Sequence, residues 1–375
     1  MSAGVGDPVK LDERWSQWTA PSPNRRHASQ SSIFLASGFS CSQAESTPAW
    51  LSSLSRHTCH ASRSHSGRSP SGTLTQTVGL LIKIVEVLMP EKPTVDEILD
   101  AIKASGYLME QEVGSMLESH QFIVITNWAF IDADESKSRE LDVFARKTVY
   151  RNDTSKLKII VELLCECKNY QLPFVFISRK KNKLDNRRTP QEYLFPLNAF
   201  ALPVPDKENT IMLVDAFHHL GLDQHHYYYK SDDKVVQFSR ILRKGRGWEA
   251  NHADIYDDIF YKLIKALLAR KKEVEPGEYR NIGDDWQSVW LLFPIVVLSG
   301  EMFLIDSSTE NPTPRAVHHI TFVRDIQSAT MKGEYVLDFV TLQGLNEFIE
   351  SISKEFIERI IEIAEREPKK LLNNQ

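Results

Sequence analysis

The chain has 375 residues, of which 42% are hydrophobic and 25% charged, a composition typical of a globular protein with a sizeable core. Its formal net charge of -5 gives no overall reason to expect a nucleic-acid partner, so such a partner must be argued from local basic clusters. The length fits either two average domains or one large α/β domain with insertions.

The first 88 residues differ in composition and hydrophobic patterning from the rest of the chain. Residues 1 to about 75 are rich in Ser, His, Arg and Pro and lack apolar periodicity, so they cannot bury enough surface to offset the entropy of ordering. The pattern changes at Met89, and Thr94 then precedes a helix-like run. We interpret residues 1–88 as either a disordered tail or an over-extended gene start with Met89 as the natural first residue. A mass spectrum of the natural N-terminus distinguishes the two.

The cysteines and the apolar segments indicate the cellular compartment in which the protein is expected. Cys165 and Cys167 fall on one predicted strand, so together with Cys41 and Cys59 they do not form a disulfide framework, which favours a reducing cytosol. The most apolar early run, residues 78–88, is short and contains charges, which argues against a membrane span. We therefore expect a cytoplasmic protein.

Apolar periodicity predicts one α/β domain over residues 89–366. Strands are predicted at 122–131, 139–149, 157–168, 174–177, 210–215, 290–298, 302–305, 319–323 and 335–340, and helices at 107–120, 254–270 and 342–364. Residues 180–250 are predicted to be an insertion that elaborates the domain, and residues 367–375 a C-terminal tail.

The strands 139–149 and 157–168 are joined by turn-forming residues and predict a β-hairpin. Residues paired across an antiparallel turn have a constant sum of numbers, and the midpoint of Asp142 and Glu166 is residue 154, inside the turn. A symmetric hairpin therefore sets the two carboxylates opposite each other, with Cβ atoms roughly 4.5–5.5 Å apart. One metal ion can bridge that distance.

Strand alternation adds a lysine to this pair. Glu166 and Lys168 face the same way on their strand. On the partner strand three apolar residues are expected to face opposite to Asp142, so that the acidic face stays open: Leu141, Val143 and Ala145. The sheet is thus predicted to present two carboxylates and an ammonium at one spot.

A third carboxylate is expected from the preceding helix, where Glu110 and Glu112 are the candidates. Glu110 has Val113, Gly114 and Leu117 at i+3, i+4 and i+7, so it borders the stripe that packs on the sheet. The corresponding neighbours of Glu112 are mostly polar, which predicts a more exposed position. We favour Glu110 and keep Glu112 as the alternative.

Carboxylate oxygens suit Mg²⁺ or Mn²⁺, ions that retain several waters and bind substrate phosphate. Such an ion lowers the pKa of a water and offsets charge in the transition state of phosphodiester hydrolysis. The predicted metal ligands are Glu110, Asp142 and Glu166. Lys168 completes the catalytic set of Asp142, Glu166 and Lys168, since its ammonium positions the attacking water and offsets repulsion between the carboxylates.

Three segments together resemble the Glu, Asp and Glu-x-Lys motifs of the PD-(D/E)XK, or restriction-endonuclease-like, nuclease superfamily: Gly106-Tyr107-Leu108-Met109-Glu110, Lys137-Ser138-Arg139-Glu140-Leu141-Asp142 and Leu164-Cys165-Glu166-Cys167-Lys168. The resemblance covers about residues 106–180 well and the later elements loosely. It implies a mixed central β-sheet flanked by helices, dependence on Mg²⁺ (or Mn²⁺), and phosphodiester cleavage, usually of DNA. The sequence departs from the motif in having Leu141 where many members have Pro.

Two basic clusters are candidates for contact with nucleic acid. The first puts six cations shortly after the Glu-x-Lys strand: Arg179, Lys180, Lys181, Lys183, Arg187 and Arg188. Such a loop at the mouth of a site neutralises phosphates and makes binding salt-dependent. The second combines four cations with an aromatic surface: Arg240, Arg243, Lys244, Arg246 and Trp248. Charge runs are also commonly ordinary solvated loops.

The leading hypothesis is therefore a Mg²⁺-dependent nuclease that acts on DNA, with a role in defence or repair. A first rival is a nucleic-acid-binding protein that keeps the fold without turnover. A second is an interaction protein in which Asp142, Glu166 and Lys168 form a solvated cross-strand ion cluster. The choice between DNA and RNA and the existence of a homodimer stay open.

Overall fold

The computed structural model of the protein describes residues 92–203, 210–252, 256–275, 285–328 and 330–372. The predictions made for residues 1–88 lie outside these ranges. The described residues all fall in the part of the chain from Pro90 to Gln375, which is a single unit.

The strands of the described residues number thirteen. They are β1 Ile123–Asp132, β2 Lys137–Asn152, β3 Leu157–Lys168, β4 Phe174–Lys180, β5 Ala199–Pro203, β6 Ile211–Asp215, β7 Asp233–Lys244, β8 Gly247–Asn251, β9 Gln287–Leu298, β10 Met302–Asp306, β11 Arg315–Val317, β12 His319–Gln327 and β13 Lys332–Thr341. Three of the turns between paired strands contain a residue in the left-handed backbone conformation, namely Ser136, Lys156 and Gly245.

The α-helices of the same ranges are α1 Val95–Ser105, α2 Tyr107–Ser119, α3 Ala216–His219, α4 Tyr227–Lys230, α5 Lys262–Glu273, α6 Leu345–Ile352 and α7 Glu358–Arg366. A capping box between Thr94 and Glu97 starts α1. A π-helical turn, Tyr256–Tyr261, leads directly into α5, and another, Ser353–Ile357, joins α6 to α7. Pro368–Leu371 then forms a short 3₁₀ turn.

Two main sheets organise the fold. The first has six strands in the order β1-β2-β3-β9-β13-β12, and the second has five in the order β11-β10-β4-β7-β8. In the first sheet β3, β9 and β13 are parallel neighbours, while the pairs at both edges are antiparallel. The central strands β3 and β9 are buried along nearly their whole length, as expected for strands that are covered on both faces.

One face of the six-stranded sheet is covered by helices. Val113 and Leu117 of α2 and Phe356 of the closing helical segment share one buried cluster with Val143 and Leu163 of the sheet. Each such fully buried side chain contributes about 2 kcal/mol to the stability of the fold. This face therefore anchors α2, the helix that carries the predicted third carboxylate.

The opposite face is covered by α5 and by the second sheet. Leu263 of α5 belongs to the same buried cluster as Leu164 of β3. The second sheet packs through its aromatic residues, with the ring of Phe176 5.1 Å from that of Phe339. The six-stranded sheet is thus the middle layer between two different coverings.

The prediction of a mixed central sheet flanked by helices is confirmed. The second sheet is not predicted by the sequence patterns, and residues within the predicted insertion supply two of its strands, β7 and β8. Leu371, in the predicted C-terminal tail, is buried in the core beside the helices. No helix of the described ranges is long and apolar enough to cross a membrane.

Candidate active site

The β2–β3 hairpin follows the predicted register up to the residues next to Asp142 and Glu166. Val143 pairs with Cys165 and the same offset continues to Thr148, where a β-bulge adds one residue before the turn. This offset is the one predicted for Asp142 and Glu166, but the regular pairing ends one residue short of them, so their direct opposition stays a prediction. The hairpin is not symmetric over its whole length.

The strand is irregular at Asp142 itself. The regular pairing of β2 with β3 ends at Val143, and the carboxylate of Asp142 accepts a hydrogen bond of 2.7 Å from the backbone N–H of Cys167. On the other side of β2, Asn127 has a positive φ of 54°. This irregularity makes one prediction wrong: Leu141 packs in the cluster on the α5 face, whereas Val143 packs on the opposite face.

Glu166 and Lys168 lie on the α5 face of β3, as strand alternation predicts. The Lys168 Nζ is 2.9 Å from Glu166 Oε1, and the Glu166 side chain is only 1% exposed. Burial, together with the charge of Asp142, raises the pKa of the Glu166 carboxyl. Burial acts to lower the pKa of the Lys168 ammonium, but the adjoining Glu166 carboxylate outweighs it and the pKa is raised. Lys168 therefore keeps its charge beside a carboxyl group that is costly to ionise.

A second lysine, Lys262, belongs to the cluster and is not predicted by the sequence. Its Nζ lies 3.1 Å from Asp142 Oδ1 and 2.7 Å from Glu166 Oε2. One ammonium therefore bridges the two carboxylates. The amphipathic pattern of residues 254–270 predicts the helix that carries Lys262, but it does not indicate which carboxylates this lysine contacts.

The docking of α5 fixes the position of Lys262. Arg270, two turns further along, holds the buried Glu162 of β3 with two bonds of 2.7 and 2.8 Å. The eight residues from Lys262 to Arg270 span about 12 Å of helix, and the four residues from Glu162 to Glu166 span about 13 Å of strand. The helix therefore runs antiparallel to β3, and the spacing of Lys262 and Arg270 matches the spacing of Glu166 and Glu162.

Glu110 is positioned by the corner between α1 and α2. Gly106 joins the two helices with a φ of 90°, a conformation that strongly favours glycine. Asn169, the residue after Lys168, donates a hydrogen bond of 2.7 Å to the carbonyl of Lys103 at the end of α1. The end of β3 and the start of α2 are thus tied together, and Glu110 lies in the first turn of α2.

Electrostatics distinguish Glu110 from Glu112. Partial burial, followed by the charge of Asp142, raises the pKa of the Glu110 carboxyl, and Lys262, Glu166 and Lys168 also act on it. Glu112 is exposed. Glu110 is therefore the candidate whose pKa depends on the charges of the cluster.

The donor chemistry of this cluster fits a divalent cation, because its carboxylate oxygens are the ligands that Mg²⁺ and Mn²⁺ take in proteins. Asp142 and Glu166 already hold one positive charge between them, the Lys262 ammonium. Within the described ranges no group of three or more His, Cys, Asp or Glu side chains is arranged as metal ligands. A cation bound by these carboxylates would therefore have to displace Lys262 and draw Glu110 closer.

The first basic cluster is only partly available to a ligand. Lys180 pairs with Asp233 at 3.0 Å, and Arg188 pairs with Glu334 at 3.1 Å. Lys181 donates to the carbonyl of Tyr228, and burial lowers the pKa of its ammonium to about 8. Four members are exposed, namely Arg179, Lys180, Lys183 and Arg187. Lys181 and Arg188 are held against the fold, and the role of the cluster in binding nucleic acid stays a prediction.

The chain was compared with protein-family models, with curated proteins and with solved structures, and no match was found. Its function is therefore argued from the geometry of the site.

Proposed function

We propose that the protein is a metal-dependent nuclease that hydrolyses phosphodiester bonds, with DNA as the first substrate to test, and that it is a distant member of the PD-(D/E)XK superfamily. The observation that carries the proposal is the meeting of Asp142, Glu166 and Lys168 at the end of one hairpin. The carboxylates come from adjacent strands, and the ammonium of Lys168 is 2.9 Å from Glu166.

Each of these groups has a separate task in the proposed reaction. Asp142, Glu166 and Glu110 would hold Mg²⁺ or Mn²⁺, which when bound supplies a more acidic water and a counter-charge for phosphate oxygens. Lys168 orients the attacking water and donates to a phosphate oxygen. The hydrogen bond from the Cys167 N–H to Asp142 keeps that carboxylate aimed into the site.

One observation favours a second candidate, a nucleic-acid-binding protein without turnover. Lys262 and Lys168 together balance the charges of Asp142 and Glu166, so the cluster is complete as a structural ion network. A protein of this kind would bind nucleic acid with the same affinity whether or not a divalent cation is present. The two candidates therefore make opposite predictions about metal.

The test is incubation of the full chain with supercoiled plasmid, linear DNA and RNA in Mg²⁺, in Mn²⁺ and in EDTA, beside Lys168→Ala. We expect cleavage that needs metal and falls by about 10²-fold or more in Lys168→Ala. The matched control is Lys354→Ala, which removes an exposed lysine whose ion pair with Glu350 is at the surface. Equal cleavage by Lys168→Ala would remove Lys168 from the mechanism, and binding without cleavage in every metal would favour the second candidate.

A further inference from the structure

The hairpin of β7 and β8 extends beyond the rest of the second sheet. Arg240 of β7 pairs with Phe174, the first residue of β4, and on its other side with Asn251 of β8. Past Arg240 the two strands continue as a pair to a turn at Gly245, and residues 243–250 are all exposed. The structure thus contains a projecting two-stranded arm, residues 240–251, which we term the β7–β8 arm.

The base of the β7–β8 arm lies next to the end of the strand that carries Glu166 and Lys168. The Arg240 guanidinium stacks on the ring of Tyr170 at 4.7 Å, and Tyr170 is two residues beyond Lys168. Tyr170 in turn lies 5.5 Å from Phe174, where β4 begins. The arm therefore leaves the protein at the same end of β3 as the carboxylate cluster.

The surface of the arm combines positive charge with an exposed aromatic ring. Trp248 is 60% exposed, although burying an indole is favourable. Arg243 of β7 is paired with Trp248 of β8, and its guanidinium lies 5.1 Å from the centre of the indole ring. The arm carries four cations, Arg240, Arg243, Lys244 and Arg246, against one carboxylate, Glu249, which pairs with Lys244.

We propose that the β7–β8 arm binds a single-stranded segment of nucleic acid, with Trp248 stacking on an unpaired base and Arg243 and Arg246 contacting phosphates. An exposed indole flanked by guanidinium groups provides the two contacts that single strands offer, a free base face and a polyanionic backbone. A duplex hides its base faces and leaves Trp248 without a partner. The inference deepens the proposed function, on which it rests, by naming the surface that presents the strand to the carboxylates.

The experiment measures binding without cleavage. Full-length protein in EDTA is titrated into a fluorescein-labelled 20-nucleotide single strand, and anisotropy gives Kd at several salt concentrations. We expect Trp248→Ala to weaken binding about tenfold, because one base loses its stacking surface, and Trp248→Phe to stay within about threefold of the native protein. Arg243→Ala should lower the slope of log Kd against log salt by about 0.7, the value for one phosphate contact on a single strand.

Two matched controls isolate the arm. Arg366→Ala removes an exposed cation at the end of α7, outside both basic clusters, and should leave the affinity for the single strand unchanged. Thermal unfolding of Trp248→Ala should match that of the native protein, since this ring is mostly in solvent. Single strands of DNA and of RNA are titrated in parallel, and dependence on Trp248 with either sugar supports the proposal.

Binding by Trp248→Ala within twofold of the native protein would overturn the proposal. An equal loss of affinity for a duplex would also overturn it, because stacking on a free base would then not be the contact that was removed. The outcome is separate from that of the proposed function. Trp248-dependent binding without cleavage in any metal would retain the arm and reject the nuclease, whereas cleavage with unaltered binding by Trp248→Ala would do the reverse.

Discussion

The ammonium of Lys262 contacts both oxygens of the Glu166 carboxylate, at 2.8 and 2.7 Å. Glu166 is almost fully buried, and Lys262 also reaches Asp142. The Lys262 ammonium thus contacts the carboxylates that the proposed reaction assigns to a divalent cation. Substitution of Lys262 therefore distinguishes a structural role of the cluster from a metal-binding role.

Lys262→Ala should destabilise the metal-free protein and tighten metal binding. Loss of the ammonium leaves the buried Glu166 beside Asp142 with less compensation, which costs about 3 kcal/mol of unfolding free energy. The same loss removes a competitor for the carboxylates, so Mn²⁺ should bind more tightly and restore stability. Urea unfolding in EDTA and in Mn²⁺, with free Mn²⁺ followed by electron paramagnetic resonance, measures both effects. Weaker Mn²⁺ binding by Lys262→Ala than by the native protein would contradict this.

Glu110→Gln should weaken Mn²⁺ binding at least tenfold, because it removes a charged oxygen ligand from the proposed site. Glu112→Gln is the matched control, since it makes the same chemical change two residues away on an exposed position of α2. Calorimetric titration of Mn²⁺ into each variant compares the two. Equal affinities for the two variants would remove Glu110 from the ligand set.

Arg270→Ala should destabilise the protein by about 3 kcal/mol, because Glu162 has no exposed surface and among the described residues would keep the more distant Arg146, at 3.4 Å. The double variant Glu162→Gln with Arg270→Ala should cost less than the two single changes added together, since no buried charge is left unpaired. Urea unfolding of all three gives the coupling. Lys370→Ala, which breaks an exposed pair with Glu367, should change stability by less than about 1 kcal/mol. Additive single and double effects would show that Arg270 and Glu162 do not act as a pair.

Stability should fall as the pH rises through 7 because of Glu192. Its side chain is fully buried, with Oε1 accepting a hydrogen bond of 2.9 Å from the Val336 N–H, and burial raises the pKa of its carboxyl to about 7. Folding therefore favours the protonated form. The contribution is complete below the unfolded pKa of about 4.3 and is lost as the pH passes the folded value, an effect on the order of 3 kcal/mol.

The variant Glu192→Gln tests this directly, because an amide keeps an oxygen acceptor for Val336 but does not titrate. Urea unfolding at pH 5, 6, 7 and 8 should give a difference between native protein and variant that changes between pH 5 and 7 and levels off towards pH 8. A constant difference would show that Glu192 does not titrate there, and subtraction of the two curves removes the contribution of other groups such as His218.

The hairpin carrying Asp142 and Glu166 could be predicted from the sequence because its information is local. Turn formers fix where the strands reverse, and period-two alternation then determines the face of Glu166 and Lys168. The failure at Leu141 has an equally local cause that the alternation pattern does not reveal. Asn127 adopts a positive φ opposite Asp142, and the side chain of Asp142 bonds to the Cys167 N–H where a regular backbone pairing would continue.

The second sheet and Lys262 could not be predicted in the same way. The strands β4, β7 and β10 are distant in sequence, and their pairing is decided by packing of Phe176 and Phe238 on the central sheet. The amphipathic pattern of α5 predicts a helix but does not say which carboxylate each of its cations meets. That information lies in the antiparallel run of α5 along β3, which is a tertiary property.

Ion pairs attach α5 to the six-stranded sheet at three points. Lys262 holds Asp142 and Glu166, Lys265 holds the buried Asp132 at 2.8 Å, and Arg270 holds Glu162. Because the second and third attachments do not involve the carboxylate cluster, the first can open while the helix stays docked. Replacement of the Lys262 ammonium by the proposed metal ion would thus be a local event at one end of α5, and the hydrophobic core beneath Leu263 and Leu267 would not have to open for it.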